Sequence, residues 1–198
     1  RGFPRCNLKN GQWRKEGGKE LSGKKIGIIG CGNVGREVIR LLKPFKTKIM
    51  VNDILDVSEF CGENKTQNTS FENIVDSADI ISLHIPLTKI TRNLINTTIF
   101  EKMKSTAFLI NTSRGEVVDQ LALKKALKTK RIAGAALDVF NPEPPDDFEL
   151  LSLENLTGTP HIGGNAHEAV KAMGKSAIDH LINFFNSTNR SNSPTPEW

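Results

Sequence analysis

The stretch Ile26–Val38, IGIIGCGNVGREV, runs from an apolar segment through three glycines into a segment of helical spacing, and its reading decides the fold. Two readings fit the letters alone: a buried strand ending in an ordinary loop, or a strand, turn and helix built to hold phosphates. Ile26, Ile28 and Ile29, with Val34 past the turn, suit a buried strand that enters a tight turn and continues as a helix. Gly30, Gly32 and Gly35 stand at GxGxxG spacing at that junction. Glycine there permits the turn and lets backbone N–H groups approach a pyrophosphate, whose charge then faces the helix N-terminus.

The spacing alone is a weak signal, and Asp53 strengthens it. It ends the next predicted strand, about twenty residues on, where a carboxylate can bind both hydroxyls of an adenine ribose and repel a 2′-phosphate. An ordinary turn aspartate is the alternative. Neutral Ile54 and Leu55 follow it, with no arginine to receive a phosphate, so the paired signal reads as NAD rather than NADP.

Working outward, short apolar runs alternate with segments of helical periodicity, the pattern of a parallel sheet covered on both faces. The pattern predicts six strands, over residues 25–29, 48–52, 79–84, 107–111, 132–139 and 156–158. Helices are predicted over residues 34–42, stopped by Pro44, and over 71–77, 97–103, 120–127 and 165 to about 185, the last capped by Asn165. Residues 140–151, with Pro142, Pro144 and Pro145, read as a rigid loop, and residues 186–198 as a polar tail. The fold class is therefore α/β, a Rossmann-type doubly wound parallel sheet.

A chain of 198 residues with 37% hydrophobic residues suits one domain with one core. Cys6, Cys31 and Cys61 lie far apart without CxxC spacing, which suggests packing thiols in a reducing, cytoplasmic setting rather than a disulfide framework or a metal site. No apolar run is long enough for a membrane span, and no signal pattern opens the chain. The net charge of +5 admits an anionic ligand or nucleic acid. The densest basic group, Lys124, Lys125, Lys128, Lys130 and Arg131, reads as a solvated helix face, since Leu121, Leu123, Ala126 and Leu127 supply an apolar one.

A dinucleotide turn names no reaction, so polar residues at the carboxyl ends of the later strands matter. Arg114, in INTSRG, is either a guanidinium placed to grip a carboxylate or a surface arginine before a glycine turn. Asp138 and Glu143 stand in LDVFNPEPP, and His161 follows the last strand in TPHIGG. A lone histidine is commonly packed or solvated. With Glu143 beside it, the imidazole pKa would rise and its tautomer would be fixed, making a proton carrier near neutral pH.

The segments GKKIGIIGCGNVGREV, ADIISLHIPLTKITRNLIN, FLINTSRGEVVDQLALKKAL, IAGAALDVFNPEPP and LENLTGTPHIGG together resemble the D-isomer-specific 2-hydroxyacid dehydrogenases, nearest the phosphoglycerate dehydrogenase-like branch. The resemblance runs from about residue 14 to 181. It implies an NAD-binding domain, chain 1–198, of an enzyme acting on a small 2-hydroxy or 2-keto acid. Arg114 would bind the acid, His161 would be the general acid/base and Glu143 its support. Asp138 would anchor the nicotinamide carboxamide. Around the cofactor the resemblance places Asn33, Val34, His84, Pro86, Thr88, Thr112, Ser113, His161, Gly163 and Gly164, with the glycines of the turn and Asp53.

Two departures qualify it. Gly164, Asn165 and Ala166 stand where the family commonly has small residues followed by Ser and Thr, so hydroxyl contacts there do not carry over, and His167 matches no catalytic position. The family's substrate-binding domain is expected to lie outside this chain. Residues 1–22, with Trp13 as anchor, resemble the segment through which such domains pair, which predicts a homodimer. A nucleotide-sensing, corepressor-like protein of the same fold is the rival, though no peptide-binding segment is recognisable.

Overall fold

Ile26–Ile29 are apolar or glycine on both faces of their strand because that strand is central. In the computed structural model, which describes residues 18–188, β1 (Lys25–Ile29) is paired on one side with β2 (Lys48–Asn52) and on the other with β4 (Ile80–Leu83). β3 (Gln67–Asn68) lies outside β2, and β5 (Phe108–Asn111), β6 (Gly134–Leu137) and β7 (Leu156–Gly158) continue beyond β4. All pairings are parallel, in the order β3-β2-β1-β4-β5-β6-β7. The chain winds outward from β1, returns, and winds the other way from β4, so the carboxyl ends of β1 and β4 part at a switch point.

The helices are α1 (Asn33–Leu42), α2 (Ser58–Asn64), α3 (Phe71–Ser77), α4 (Thr97–Lys102), α5 (Gln120–Lys128), α6 (Phe148–Leu151) and α7 (His167–Thr188). Strand alternation sends Ile26, Ile28, Ile49 and Val51 to one face, where they join Ile39, Val57 and Cys61. Ile29, Met50, Ile81, Leu83 and Leu109 point to the other and pack with Ile74, Phe100, Leu123 and Leu127. Side chains of Ser70, Asn96, Asp119 and Asp147 cap α3, α4, α5 and α6. Lys124 lies 2.8 Å from Asp147 and Lys128 pairs with Glu149, so part of the basic group on α5 is engaged with α6.

The doubly wound parallel sheet is as expected, with differences in detail. The described residues form seven strands rather than six. β3 is two exposed polar residues and carries no alternation, and α2 has only Phe60 and Cys61 as large apolar anchors. The strands expected over 79–84, 107–111 and 132–139 are shorter, because pairing ends at Ile80–Leu83, Phe108–Asn111 and Gly134–Leu137. The proline-rich segment 140–151 is not loop throughout, since Asp147 starts a helical turn at its end. Cys31 and Cys61 are buried free thiols. No helix among the described residues is long and apolar enough to cross a membrane.

The chain divides into two units, Arg1–Pro160 and His161–Trp198. In the second, the Asn165 N–H donates to the Ile162 carbonyl, and α7 starts at His167, so Asn165 precedes the cap rather than forming it. α7 runs on through Asn186–Thr188, which were expected in the tail. The proposed pairing segment up to Gly17, with Cys6 and Trp13, and the tail from Asn189 lie outside the described residues.

Candidate cofactor and catalytic site

The glycine turn leaves β1 at the switch point. Gly30 has φ +96°, and a Cβ there would collide with the His84 carbonyl oxygen and lie 2.8 Å from Ile85. A Cβ on Gly35 would strike the Gly30 carbonyl, so α1 packs directly on the turn, whereas one on Gly32 meets nothing within 4 Å. The middle glycine thus faces open space, as close approach of a pyrophosphate requires. Gly32 is the N-cap of α1 and offers no side-chain cap. Four other helices are capped by side chains, whereas α1, like the shorter α2, has none, so the amides opening α1 are open to an anionic ligand. Asn33 and Val34, both exposed, occupy its first turn.

Asp53 meets this turn across twenty-two residues of sequence. Its Oδ2 accepts the Cys31 N–H at 2.6 Å, and its Oδ1 accepts the Leu55 N–H at 2.9 Å. Each oxygen keeps acceptor capacity for a ribose hydroxyl. The Cys31 carbonyl accepts from Arg36 Nε at 2.9 Å, the Arg36 guanidinium lies over the Phe60 ring at 4.6 Å, and the Cys31 side chain is buried. Burial pushes the Cys31 thiol pKa up, with Arg36 opposing. Together these groups fit the adenosine and pyrophosphate of a dinucleotide.

At the carboxyl end of β4, His84 Nε2 lies 2.9 Å from Ser82 Oγ, and burial pushes the imidazole pKa down. The following loop is tied by Thr91, whose Oγ1 donates to the Pro86 carbonyl at 2.7 Å and accepts the Thr88 N–H at 2.7 Å. Thr88 and Pro86 are exposed on it.

After β5, the fully buried Asn111 organises the loop. Its Nδ2 donates to the Arg114 carbonyl at 2.9 Å, and its Oδ1 accepts from Ser113 N–H at 3.0 Å and Ser113 Oγ at 2.7 Å. Ser113 is buried by this arrangement while Thr112 and Arg114 are exposed, and Arg114 Nη1 donates to the Ser113 carbonyl. Asp138, after β6, is buried, and its Oδ1 accepts from Thr159 Oγ1 at 2.5 Å. Glu143 Oε1 accepts the Phe140 N–H at 2.9 Å. His161 opens the second unit with φ +52°, a left-handed conformation uncommon outside glycine, and Gly163 and Gly164 follow.

The first unit thus gathers the glycine turn, Asp53, His84, Ser113, Arg114 and Asp138 at the carboxyl ends of the strands. Sequence reasoning passed over the supports: Arg36, Ser82, Thr91, Asn111 and Thr159. Asn111 carried a signal, a polar residue closing an otherwise apolar strand.

Residues 4–163 match the family model for the D-isomer specific 2-hydroxyacid dehydrogenase, NAD binding domain. The glyoxylate reductase of Korarchaeum cryptofilum is 42% identical over 168 residues, 84% of this chain and 51% of that protein. The D-3-phosphoglycerate dehydrogenase of Methanocaldococcus jannaschii is 40% identical over 181 residues, 89% of this chain and 34% of that protein. Among solved structures, D-lactate dehydrogenase with NAD+ from Lactobacillus jensenii superposes with a TM-score of 0.81 at 31% identity, covering 92% of this chain and 60% of that one. The chain spans about half the length of the glyoxylate reductases it matches, 51% and 54% for two of them.

Proposed function

The chain belongs to the D-isomer specific 2-hydroxyacid dehydrogenase family as its NAD-binding domain, and from that premise we propose that the whole protein transfers a hydride between NAD and a D-2-hydroxy acid. The observation that supports it most directly is the hydrogen bond from Cys31 N–H to Asp53, which ties the ribose-binding carboxylate to the uncapped phosphate turn. Asp53 favours NAD over NADP, since a 2′-phosphate would face its negative charge.

Bound NAD supplies the hydride chemistry. In this reading the amides at Gly32–Val34 hold the pyrophosphate, and Asp138 binds the carboxamide. Arg114 grips the substrate carboxylate through two parallel hydrogen bonds and draws electron density from the adjacent C2 oxygen. His161 gives that oxygen a proton in keto-acid reduction and takes it back in the reverse direction. Glu143, the support that the family resemblance assigns to the proton carrier, has its Oε1 accepting the Phe140 N–H at 2.9 Å. The relatives named glyoxylate reductase and D-3-phosphoglycerate dehydrogenase set the range of acids to try, phosphoglycerate among them.

The test is nicotinamide reduction by the whole gene product with paired D- and L-2-hydroxy acids. Turnover of at least one D-acid, with its L-enantiomer inert, is the expected result. A folded, NAD-binding protein that oxidises none of them would refute the dehydrogenase reading. We further propose a cytoplasmic homodimer, supported by the free thiols of Cys31 and Cys61 and by the resemblance of residues 1–22 to a pairing segment. A monomer by light scattering at micromolar concentration would exclude that assembly.

A further inference from the structure

At the end of the sheet opposite the glycine turn, the first residues of β1 and β2 border a cleft of about 410 Å³ whose polar lining is Lys25, Thr47, Lys48, Lys65, Thr66 and Gln67. Lys25 and Lys48 are direct register partners in the parallel ladder, which sets two ammonium-bearing side chains side by side. Like charges so placed destabilise a sheet unless something answers them. Lys65 adds a third from the left-handed residue that closes α2. No carboxylate lines the cleft. The neighbouring Asp79 is committed elsewhere, accepting the Lys25 N–H and pairing with Lys104 Nζ at 2.9 Å. The ion pairs of the described residues include none of the three cleft lysines.

A second observation points to the same place. Among the described residues, two buried side-chain polar atoms lack a hydrogen-bond partner, Thr47 Oγ1 and Thr66 Oγ1, and both residues belong to this cleft wall. Buried hydroxyls are rarely left unpaired. Both hydroxyls are turned away from solvent, so each would have to turn to donate to a ligand in the cleft. Three cations and two unpartnered hydroxyls around a space without a carboxylate suit a multiply charged tetrahedral oxyanion better than a carboxylate, which has one charge and two oxygens.

We propose that this cleft binds a phosphate group, either inorganic phosphate or the phosphoryl end of a small metabolite, at a site separate from the cofactor turn. Binding would neutralise the Lys25–Lys48 repulsion, so it should stabilise the fold.

The test is amide NMR and thermal melting of the 198-residue chain, titrated with sodium phosphate and separately with glycerol phosphate against sodium chloride at matched ionic strength. Saturable shifts at Thr47, Lys48 and Thr66 are expected, with a melting-temperature rise of roughly 3–5 °C at tenfold excess over Kd. Lys48→Gln and Thr66→Val should each weaken binding about fivefold or more, while Lys102→Gln on α4 should not. Lys65→Gln, at an exposed helix end, serves if Lys48→Gln fails to fold. Tighter binding of glycerol phosphate assigns the site to a phosphorylated metabolite, and equal affinity assigns it to the free ion. Shifts confined to the Gly30–Gly35 turn, or a response no different from that to chloride, would overturn the proposal.

Discussion

Replacing Asp53 by alanine removes a ligand contact and two hydrogen bonds within the protein, from the Cys31 N–H and the exposed Leu55 N–H, and the structure lets the two kinds of loss be separated. One is the charge-assisted hydrogen bonding offered to the ribose, worth about 1.5–3 kcal/mol, or a loss of NAD affinity of about 10- to 150-fold. The other belongs to the protein itself: the Cys31 N–H, 2.6 Å from Oδ2 and partly buried, loses its acceptor. That should cost about 1–2 kcal/mol of stability, a fall in melting temperature of about 2–8 °C for a domain this size. Asp53→Asn keeps one oxygen for the partly buried Cys31 N–H, leaves the exposed Leu55 N–H to water and loses the charge, so it should melt closer to the parent than Asp53→Ala while binding NAD about tenfold more weakly and discriminating less against NADP. Calorimetric titration with both dinucleotides, beside thermal melts, reads both effects. If folded Asp53→Ala bound NAD with parental affinity, the adenosine end would sit elsewhere.

Gly32→Val should melt within about 1 kcal/mol of the parent, because its Cβ meets nothing within 4 Å, yet lose NAD affinity tenfold or more in calorimetry. If its affinity were unchanged, the pyrophosphate would not pass over Gly32. His84 has its pKa lowered by burial, so the folded state resists its protonation. Its contribution to stability is complete above the unfolded value, about 6.5. It is lost as pH falls from there toward the lower folded value, so the melting temperature should drop between pH 7 and 5. His84→Gln should flatten that slope, and an identical slope would assign it to other groups. In the whole protein, on the activity proposed above, His161→Ala should lower kcat by about 10² to 10⁴ with NAD binding little changed. A fully active His161→Ala enzyme would reassign the proton carrier.

The sheet's centre was legible because burial on both faces writes itself as uninterrupted apolar residues, as in Ile26–Ile29 and Ile49–Val51. Its edge was not: Gln67 and Asn68 pair through backbone alone with Met50 and Val51, and backbone pairing leaves no mark on side-chain choice. Asp79 was read as part of a strand, whereas its carboxylate accepts the Lys25 N–H and pairs with Lys104 just before the ladder begins. Single polar residues after strands, Asp53 and Arg114 among them, were legible by position, and the structure places both at the carboxyl end of the sheet. The groups around them were not, because Asn111 donates to the Arg114 carbonyl and Arg36 to the carbonyl of Cys31, whose N–H bonds Asp53, and backbone groups belong to every residue type.

Because Asp53 is fastened to Cys31 and Leu55 in the folded chain, its rotamer freedom is surrendered during folding rather than at the moment of ligand capture. Cys31 is likewise held by its amide, its carbonyl and its buried side chain. A dinucleotide arriving at this corner meets groups already in place, so the entropic penalty of association falls chiefly on the ligand. Affinity for a series of adenine nucleotides should therefore track how rigid each ligand is in solution.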